Sequence, residues 1–124
     1  MDSYQQDLEL SDQGVDGEFD RQVWLRCAVC SAPITPQSAV CDWNDAHVHI
    51  KTNPAGISFD LRIFDLAPGC RCVGGRYFAD TWFAGFCWTI ALCSSCGLHL
   101  GWYFSNEEST DFYALIAPQL VEDK

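Results

Sequence analysis

The sequence is poor in basic residues and contains no long hydrophobic run. Seven lysine and arginine residues stand against 17 acidic residues in a chain of 124, so the formal net charge is −10 at pH 7. Nucleic-acid backbones and anionic membrane surfaces both favour basic partners, and this balance argues against either as the main ligand. No stretch approaches the roughly 18 apolar residues of a membrane-spanning helix. We therefore expect neither a nucleic-acid partner nor a membrane partner.

The first 20 residues lack the basic start and the apolar stretch of a secretory signal. They carry seven acids and no base, and so hold most of the negative charge of the chain. Low hydrophobicity with charge of one sign is typical of solvated, disordered segments. The sequence predicts a disordered acidic tail over 1–20, with docking through Phe19 as the alternative. It further predicts one domain over 21–121 and a cytoplasmic location.

Helical periodicity of the hydrophobic residues is weak throughout the chain. Short runs of strand-like residues instead alternate with turn signals, the pattern of an antiparallel all-β domain. A hairpin is predicted around Asn44-Asp45, and turns are predicted at 53–56 and 74–75. The predicted strands are 22–26, 39–43, 47–51, 57–64, 88–92, 99–104 and 112–116.

Eight cysteines are present, and four of them form two C-x2-C pairs, Cys27/Cys30 and Cys93/Cys96. A tight turn lets the two thiolates of such a pair face one metal, and two pairs complete a tetrahedral four-sulfur shell that suits zinc. We predict one structural Zn²⁺ that joins the start of the domain to a late segment. The alternatives are rubredoxin-type iron, a pair of incidental turns and two redox dithiols. A closed four-thiolate shell leaves no position for catalytic water.

The remaining cysteines and the histidines are predicted to be structural. Cys41 and Cys87 are predicted to pack as small apolar side chains. Cys70 and Cys72 follow a turn in a strand-like alternation, and we expect one of this pair to face inward and the other to face solvent. His47 and His49 share one strand face, which we expect to be exposed, with a metal pair as the alternative. His99 lies three residues after Cys96 and is either a hydrogen-bonded support or a substitute ligand.

Aromatic residues are abundant, with 17 in the chain. The segment 80–89 places Trp82 and Trp88 on either side of a glycine bend. Trp102 and Phe104 lie two apart and therefore share a strand face. If these strands are neighbours, the four rings converge. Spacing alone leaves two interpretations open, a core cluster and a ligand pocket.

Five motifs follow one another along the chain: C-x2-C at 27–30, N-P-A-G at 53–56, D-T-W-F-A-G-F-C-W-T at 80–89, C-x2-C at 93–96 and L-H-L-G-W-Y-F at 98–104. The order of several motifs is far more specific than any one of them. This order resembles the cereblon thalidomide-binding (CULT) domain family, and the similarity spans about residues 24–117.

This resemblance implies a β-tent fold, in which two antiparallel sheets are pinned together by a four-cysteine zinc site. It implies a cage of Trp82, Trp88 and Trp102 over a Phe104 floor that binds cyclic imides. The backbone N–H of Trp82 and the carbonyl of Asp80 would meet the imide, and the Asn53 side chain would close the pocket. The implied ligands are glutarimide or thalidomide-like rings, uracil-like rings, and C-terminal cyclic imides of damaged proteins.

The chain also departs from the animal pattern, which has histidine at the positions of Asp80 and Ala55. The Lon-like domain and the helical region that docks a ubiquitin-ligase adaptor are absent from the 124 residues. We therefore expect a stand-alone bacterial-type homologue without an adaptor partner.

Two other functions remain as alternatives. Three indoles beside Asp80 could hold a quaternary ammonium or methyl-lysine cation. The segment after Cys93 also resembles a zinc knuckle of methionine-R-sulfoxide reductases, but no cysteine follows Cys96 to act as their nucleophile. We expect a binding domain rather than an enzyme.

Overall fold

The computed structural model describes residues 23–122, and the predicted acidic tail over 1–20 lies outside this range. The described chain is built from strands and two short 3₁₀ turns, at Gln37–Ala39 and Ala117–Gln119. The strands are β1 (Trp24–Cys27), β2 (Pro33–Pro36), β3 (Val48–Thr52), β4 (Ser58–Phe64), β5 (Cys70–Tyr77), β6 (Cys87–Cys93), β7 (His99–Ser105), β8 (Asp111–Ile116) and β9 (Leu120–Glu122).

These strands form two antiparallel sheets. The larger sheet has the order β3-β4-β8-β7-β6-β5, and the smaller has the order β2-β1-β9. Each neighbouring pair for which a register is defined is antiparallel. The all-β prediction with two antiparallel sheets is confirmed. No helix among residues 23–122 has the length and apolarity needed to cross a membrane.

The two faces of the large sheet support two separate cores, because side chains alternate along each strand. One core lies at the small sheet and includes Ile34, Phe64 and Leu115. The second core lies on the opposite face and contains a cluster of phenylalanines. It includes Leu61, Ile63, Phe83, Phe86, Phe104 and Phe112. The tryptophans at 82, 88 and 102 pack against this second core and line its outer side.

The predicted hairpin of 39–43 with 47–51 is wrong in its pairing. Residues 37–39 form a 3₁₀ turn, and Val40 makes only an isolated bridge to Phe64. β3 pairs with β4 instead, over five consecutive residues from Val48↔Arg62 to Thr52↔Ser58. The turn itself is present, since Asn44 and Asp45 both have left-handed φ angles. The apolar strand β4 offers β3 a longer partner than the short 39–43 segment does.

Three further details differ from the sequence-based expectations. β2 begins and ends with proline and β9 is only three residues long, so neither produced a recognisable strand pattern. Gly74-Gly75 lies inside β5 rather than in a turn, where the register with β6 shifts between Val73 and Tyr77. Glycine inside a strand often marks such an irregularity.

His47 and His49 are half-buried rather than exposed, so that expectation is wrong. His47 Nδ1 lies 3.0 Å from the Cys41 carbonyl oxygen, and His49 Nε2 lies 2.9 Å from that of Ala46. Because carbonyl oxygens only accept, each ring nitrogen donates. The two histidines therefore fix the 41–46 loop onto β3.

Candidate functional site

The two C-x2-C segments form matching turns. In each one the first cysteine donates its N–H to the residue five positions on, at 2.9 Å for Cys27 and 2.8 Å for Cys93. The residue four positions on, Ser31 or Gly97, donates back to the carbonyl of that cysteine at 2.9 Å. Both of these residues have positive φ angles, 66° and 83°. The backbone thus presents both thiols of each turn on one side.

The four predicted cysteines converge on one point, and we refer to them as the four-cysteine cluster. Their sulfur atoms all lie within 4.8 Å of one another. Cys27 Sγ is 3.6 Å from Cys96 Sγ, and Cys30 Sγ is 3.6 Å from Cys93 Sγ. Cys27 ends β1 in the small sheet and Cys93 ends β6 in the large sheet. The cluster could hold a metal ion, and it would join the two sheets.

The thiols of the cluster have pKa values shifted in opposite directions, because desolvation and the other three thiols raise the pKa of Cys96 to about 12. The backbone at Ala32, together with the other thiols of the cluster, lowers the pKa of Cys30 to about 7 despite some desolvation. The thiolate is the form that ligates metal. Cys70 lies opposite Cys93 in the β5–β6 ladder, but burial raises its pKa to about 12. Cys70 therefore remains a neutral packing thiol beside the cluster.

His99 is directed to the aromatic region rather than to the sulfurs. Its Nε2–H donates to the Gly101 carbonyl at 3.0 Å, and its ring meets Trp102 edge to face with centroids 4.8 Å apart. Burial lowers the pKa of His99, which favours the neutral ring. The interpretation as a hydrogen-bonded support is the one the structure bears out.

The register of β6 and β7 brings the predicted aromatic residues together. Trp88 lies opposite Phe104, and Trp102 lies opposite Ile90, so all four side chains are on the same sheet face. Phe104 is 1% exposed, whereas the two tryptophans are half-buried. The phenyl ring therefore forms the base of the arrangement and the indoles form walls.

The third indole is carried by the 78–86 loop, which folds back on itself. Thr81 donates its N–H to the Phe78 carbonyl at 3.1 Å and its hydroxyl to the Phe86 carbonyl at 2.8 Å. Asp80 and Gly85 have φ angles of 57° and 86°, and aspartate is one of the few side chains that tolerate this region. These bends hold Trp82 over β7.

A pocket with a cavity volume of about 210 Å³ opens between this loop and the sheet. We name it the tryptophan pocket. All six residues predicted to contact a ligand line it, together with Pro54; they are Asn53, Asp80, Trp82, Trp88, Trp102 and Phe104. The chain therefore places these residues around a cavity rather than in a filled core.

Hydrogen bonds and ring contacts hold the indoles in place. The Trp82 indole N–H donates to the Thr52 carbonyl at 3.0 Å, and the Trp88 indole N–H donates to the Ala79 carbonyl at 2.8 Å. The Trp82 and Trp102 rings meet at 80° with centroids 4.9 Å apart. The walls of the pocket are therefore preorganised.

Asn53 shapes its own loop as well as lining the pocket. Its side-chain oxygen accepts the backbone N–H groups of Ala55 at 3.0 Å and Ile57 at 2.9 Å. Two donors at one end of the amide fix that end as oxygen, so the amide NH₂ is the group left for a ligand. The N-P-A-G motif is thus a loop closed by its first side chain.

Two backbone groups in the pocket wall have unused hydrogen-bonding capacity. Among residues 23–122, the N–H of Trp82 and the carbonyl of Asp80 have no hydrogen-bond partner in the protein. They lie two residues apart on the same loop. Two of the residues that line the pocket therefore have one backbone donor and one backbone acceptor without a protein partner.

Sequence analysis missed two residues that contact the indoles of the pocket. Phe59 on β4 contacts both Trp82 and Trp102, with ring centroids 5.9 and 5.1 Å away. The alternation of 57–64 predicts a strand with two distinct faces. The order of the strands in the sheet places the face that carries Phe59 behind the indoles. Tyr77 was also missed, and its ring lies 5.0 Å from that of Trp88.

Comparison with known proteins gives one consistent result. A 53-residue segment is 40% identical to protein cereblon of Xenopus tropicalis, 36% identical to that of Danio rerio and 56% identical to that of Gallus gallus. The segment is 43% of this chain but only 12% of each relative. No protein-family model matches the chain. With its two sheets, cysteine cluster and aromatic pocket, this chain carries a cereblon-like CULT domain.

Proposed function

We propose that this protein is a zinc-stabilised binding domain that holds a cyclic imide in the tryptophan pocket. One observation supports this above the others: the cavity combines three indole walls with an unpartnered backbone donor and acceptor. The ligand class includes glutarimide and thalidomide-like rings, uracil-like rings, and the cyclic imide at the C-terminus of a damaged protein.

The size and apolar walls of the pocket suit a single small ring. Pockets for drug-sized ligands measure about 300–1,000 Å³, so a cavity of about 210 Å³ selects something smaller. Indole faces exclude water from ring methylenes and lose little rotamer entropy. Trp82 and Trp88 already use their indole N–H groups, so they offer the ligand mainly flat apolar surface.

The polar groups match the imide edge, which presents acceptor, donor and acceptor in a row. The Asp80 carbonyl would accept the ring N–H, and the Trp82 backbone N–H would donate to one ring carbonyl. The amide NH₂ of Asn53 remains for a further carbonyl because its oxygen is used within the loop. An unmatched buried polar group costs roughly 1–3 kcal/mol, so this match would provide specificity.

Zinc is the metal we propose for the four-cysteine cluster. A regular tetrahedron with Zn–S bonds of about 2.3 Å has edges of about 3.8 Å. Two sulfur pairs at 3.6 Å, with all four within 4.8 Å, fit this shell with little movement. The ion would stabilise the contact between the sheets.

The reduced thiols of the described cysteines suit the cytoplasm, where disulfides are rare.

We propose binding without chemical conversion of the ligand. A four-thiolate shell has no open coordination position. A reductase of the methionine-sulfoxide type would need a nucleophilic cysteine downstream, and the sequence has none after Cys96. The similarity to cereblon covers 12% of the relatives, and we do not extend it to a ubiquitin-ligase adaptor partner.

A cation cage is the second candidate, because the exposed acid Asp80 lines the same pocket. Indole faces and a nearby carboxylate attract quaternary ammonium groups. Under this alternative, tetramethylammonium would displace a bound imide at submillimolar concentration, and Asp80→Asn would weaken that displacement. Under the imide proposal, Asp80→Asn leaves neutral glutarimide affinity nearly unchanged, because its backbone carbonyl remains.

The deciding experiment is calorimetric titration with glutarimide and with N-methylglutarimide. A ligand of about eight non-hydrogen atoms should bind with roughly −5 to −8 kcal/mol, hence micromolar affinity. N-methylation removes the donor and leaves the Asp80 carbonyl unpaired, so the affinity should fall about tenfold to a hundredfold. Equal affinity for the two compounds, or no binding of either, would contradict the proposal.

A further inference from the structure

The free edge of β3 leads directly into the tryptophan pocket. β3 is the outermost strand of the large sheet among the described residues. Its last residue, Thr52, accepts the indole N–H of Trp82, and the next residue, Asn53, lines the pocket. An edge strand with unpaired backbone groups is a ready site for another extended chain.

The hydrogen-bond register shows which backbone groups of β3 are unpaired. Asn53 N donates to Ile57 O, and Ile63 N donates to His47 O, so the odd-numbered residues face β4. In an antiparallel ladder the intervening residues face away from the partner. The N–H and carbonyl groups of Val48 and Ile50 therefore point to the free edge. Thr52 contributes its N–H there, because its carbonyl is taken by Trp82.

Although this edge carries Lys51, it lacks two other common protections against pairing, proline and a β-bulge. The β3–β4 register is unbroken, and β3 contains neither proline nor a bulge. Val48 and Ile50 are 48% and 63% exposed. The other edge of the sheet, β5, has an interrupted register with its neighbour β6. Natural edges are commonly blunted by such irregularities, and β3 is not.

We propose that, when the imide is the C-terminal residue of a polypeptide, the residues that precede it pair with β3 as an added strand. This inference rests on the proposed imide-binding function. The terminal ring lies in the pocket, at the Thr52 end of β3. The preceding residues extend toward Val48, so the peptide runs parallel to β3. The Trp82 indole N–H already donates to the Thr52 carbonyl, the last carbonyl on this edge. The peptide backbone turns into the pocket at this point.

The occupant is a protein chain rather than a free ring because an isolated ring cannot use the edge. Main-chain pairing provides affinity that depends little on sequence. Such recognition suits a terminal modification that arises on many different chains. The alternating exposed side chains of Val48 and Ile50 would favour apolar residues at alternate peptide positions.

The test compares two ligands by calorimetry, 3-acetamidoglutarimide and an uncharged tetrapeptide of alternating valine and threonine joined to the same 3-aminoglutarimide. We expect the peptide to bind about tenfold more tightly, because several main-chain hydrogen bonds are added. Backbone N-methylation of the alternate peptide residues whose N–H groups face β3 should abolish this gain in affinity. N-methylation at the other set, which faces away from β3, should preserve it.

A protein variant tests the same contact from the other side. Ile50→Pro removes an edge N–H and leaves the β3–β4 hydrogen bonds intact, and Ile50→Thr retains the N–H as the matched control. Ile50→Pro should reduce peptide affinity to that of the acetamide and leave acetamide affinity unchanged. Equal binding of peptide and acetamide by the native protein would overturn the added strand alone. Failure of the acetamide to bind would overturn the imide function as well.

Discussion

The indole rings of Trp82 and Trp102 meet edge to face, with centroids 4.9 Å apart and planes at 80°. One ring comes from a loop and the other from β7, 20 positions later in the chain. Their right-angled contact makes a corner of the tryptophan pocket, and Phe59 packs against both rings from β4. The pocket therefore depends on strand order as much as on its own residues.

Replacement of Trp102 should remove imide binding while the fold persists. Trp102→Ala deletes one wall and the ring that orients Trp82, so we expect affinity to fall more than about a hundredfold. The side chain is half-buried, so the free energy of unfolding should fall by only about 1–3 kcal/mol. Titration and thermal melts measure the two effects separately.

Trp24→Ala is the matched control for this variant. Trp24 is also half-buried but lies on β1 in the small sheet, outside the pocket. Its loss should lower the melting temperature and leave imide affinity unchanged. Equal affinity of Trp102→Ala and the native protein would show that the ligand binds elsewhere.

Substitution of Asn53 should separate loop formation from ligand contact. Asn53→Asp retains the oxygen that accepts the Ala55 and Ile57 N–H groups but lacks the NH₂ donor. We expect nearly native stability and roughly five- to tenfold weaker imide binding. Asn53→Ala loses both roles and should also destabilise the loop by about 1–2 kcal/mol.

A second loop provides the control for this substitution. Asn106 Oδ1 accepts the N–H groups of Glu108 and Thr110, both at 3.0 Å, in the same pattern as Asn53. It does not line the tryptophan pocket, so Asn106→Asp should leave imide affinity unchanged. Native imide affinity in Asn53→Asp would exclude the amide donor from recognition.

Removal of the metal should unfold the domain or greatly weaken it. The cluster joins β1 to β6, and metal binding contributes folding free energy because the unfolded chain has no preformed site. A strong zinc chelator, or Cys93→Ser, should abolish the native cooperative melt by circular dichroism. Cys72→Ser, an exposed thiol outside the cluster, should have little effect. An unchanged melt in metal-free protein would contradict a structural metal.

Gly101 should be intolerant of any side chain. A Cβ there would lie 2.2 Å from the Ala114 carbonyl oxygen and 2.8 Å from Leu115 Cα, and its φ of 154° is rare for other residues. Gly101→Ala should displace β7 from β8 and lower stability by about 2–4 kcal/mol in denaturant melts. Because Trp102 is the next residue, imide binding should weaken too.

Gly75→Ala gives the comparison for a glycine in a strand with more room. Its nearest neighbour would be the half-exposed Tyr77 side chain at 3.1 Å, which can move. We expect a change below about 1 kcal/mol in the same melts. Similar losses in the two variants would mean that close backbone packing at Gly101 is unimportant.

Local patterns in the sequence were sufficient for the features whose geometry is local. The paired C-x2-C turns need only a few residues and a positive φ at the fifth, supplied by Ser31 and Gly97. The alternation of apolar and polar residues predicted β4, and the N-P-A-G motif predicted the loop that precedes it. The predicted pairing of 39–43 with β3 failed because β4 offers β3 a longer partner.

Sequence pattern alone was enough for the all-β class, for the four cysteines that could hold a metal ion and for the residues that could surround a ring. Whether Trp82, Trp88 and Trp102 fill a core or surround a cavity depended on long-range packing, because spacing along the chain does not specify which strands become neighbours. The β6–β7 register and the folded 78–86 loop leave a cavity between the indoles. Long-range packing, which depends on every strand at once, created the space for a ligand.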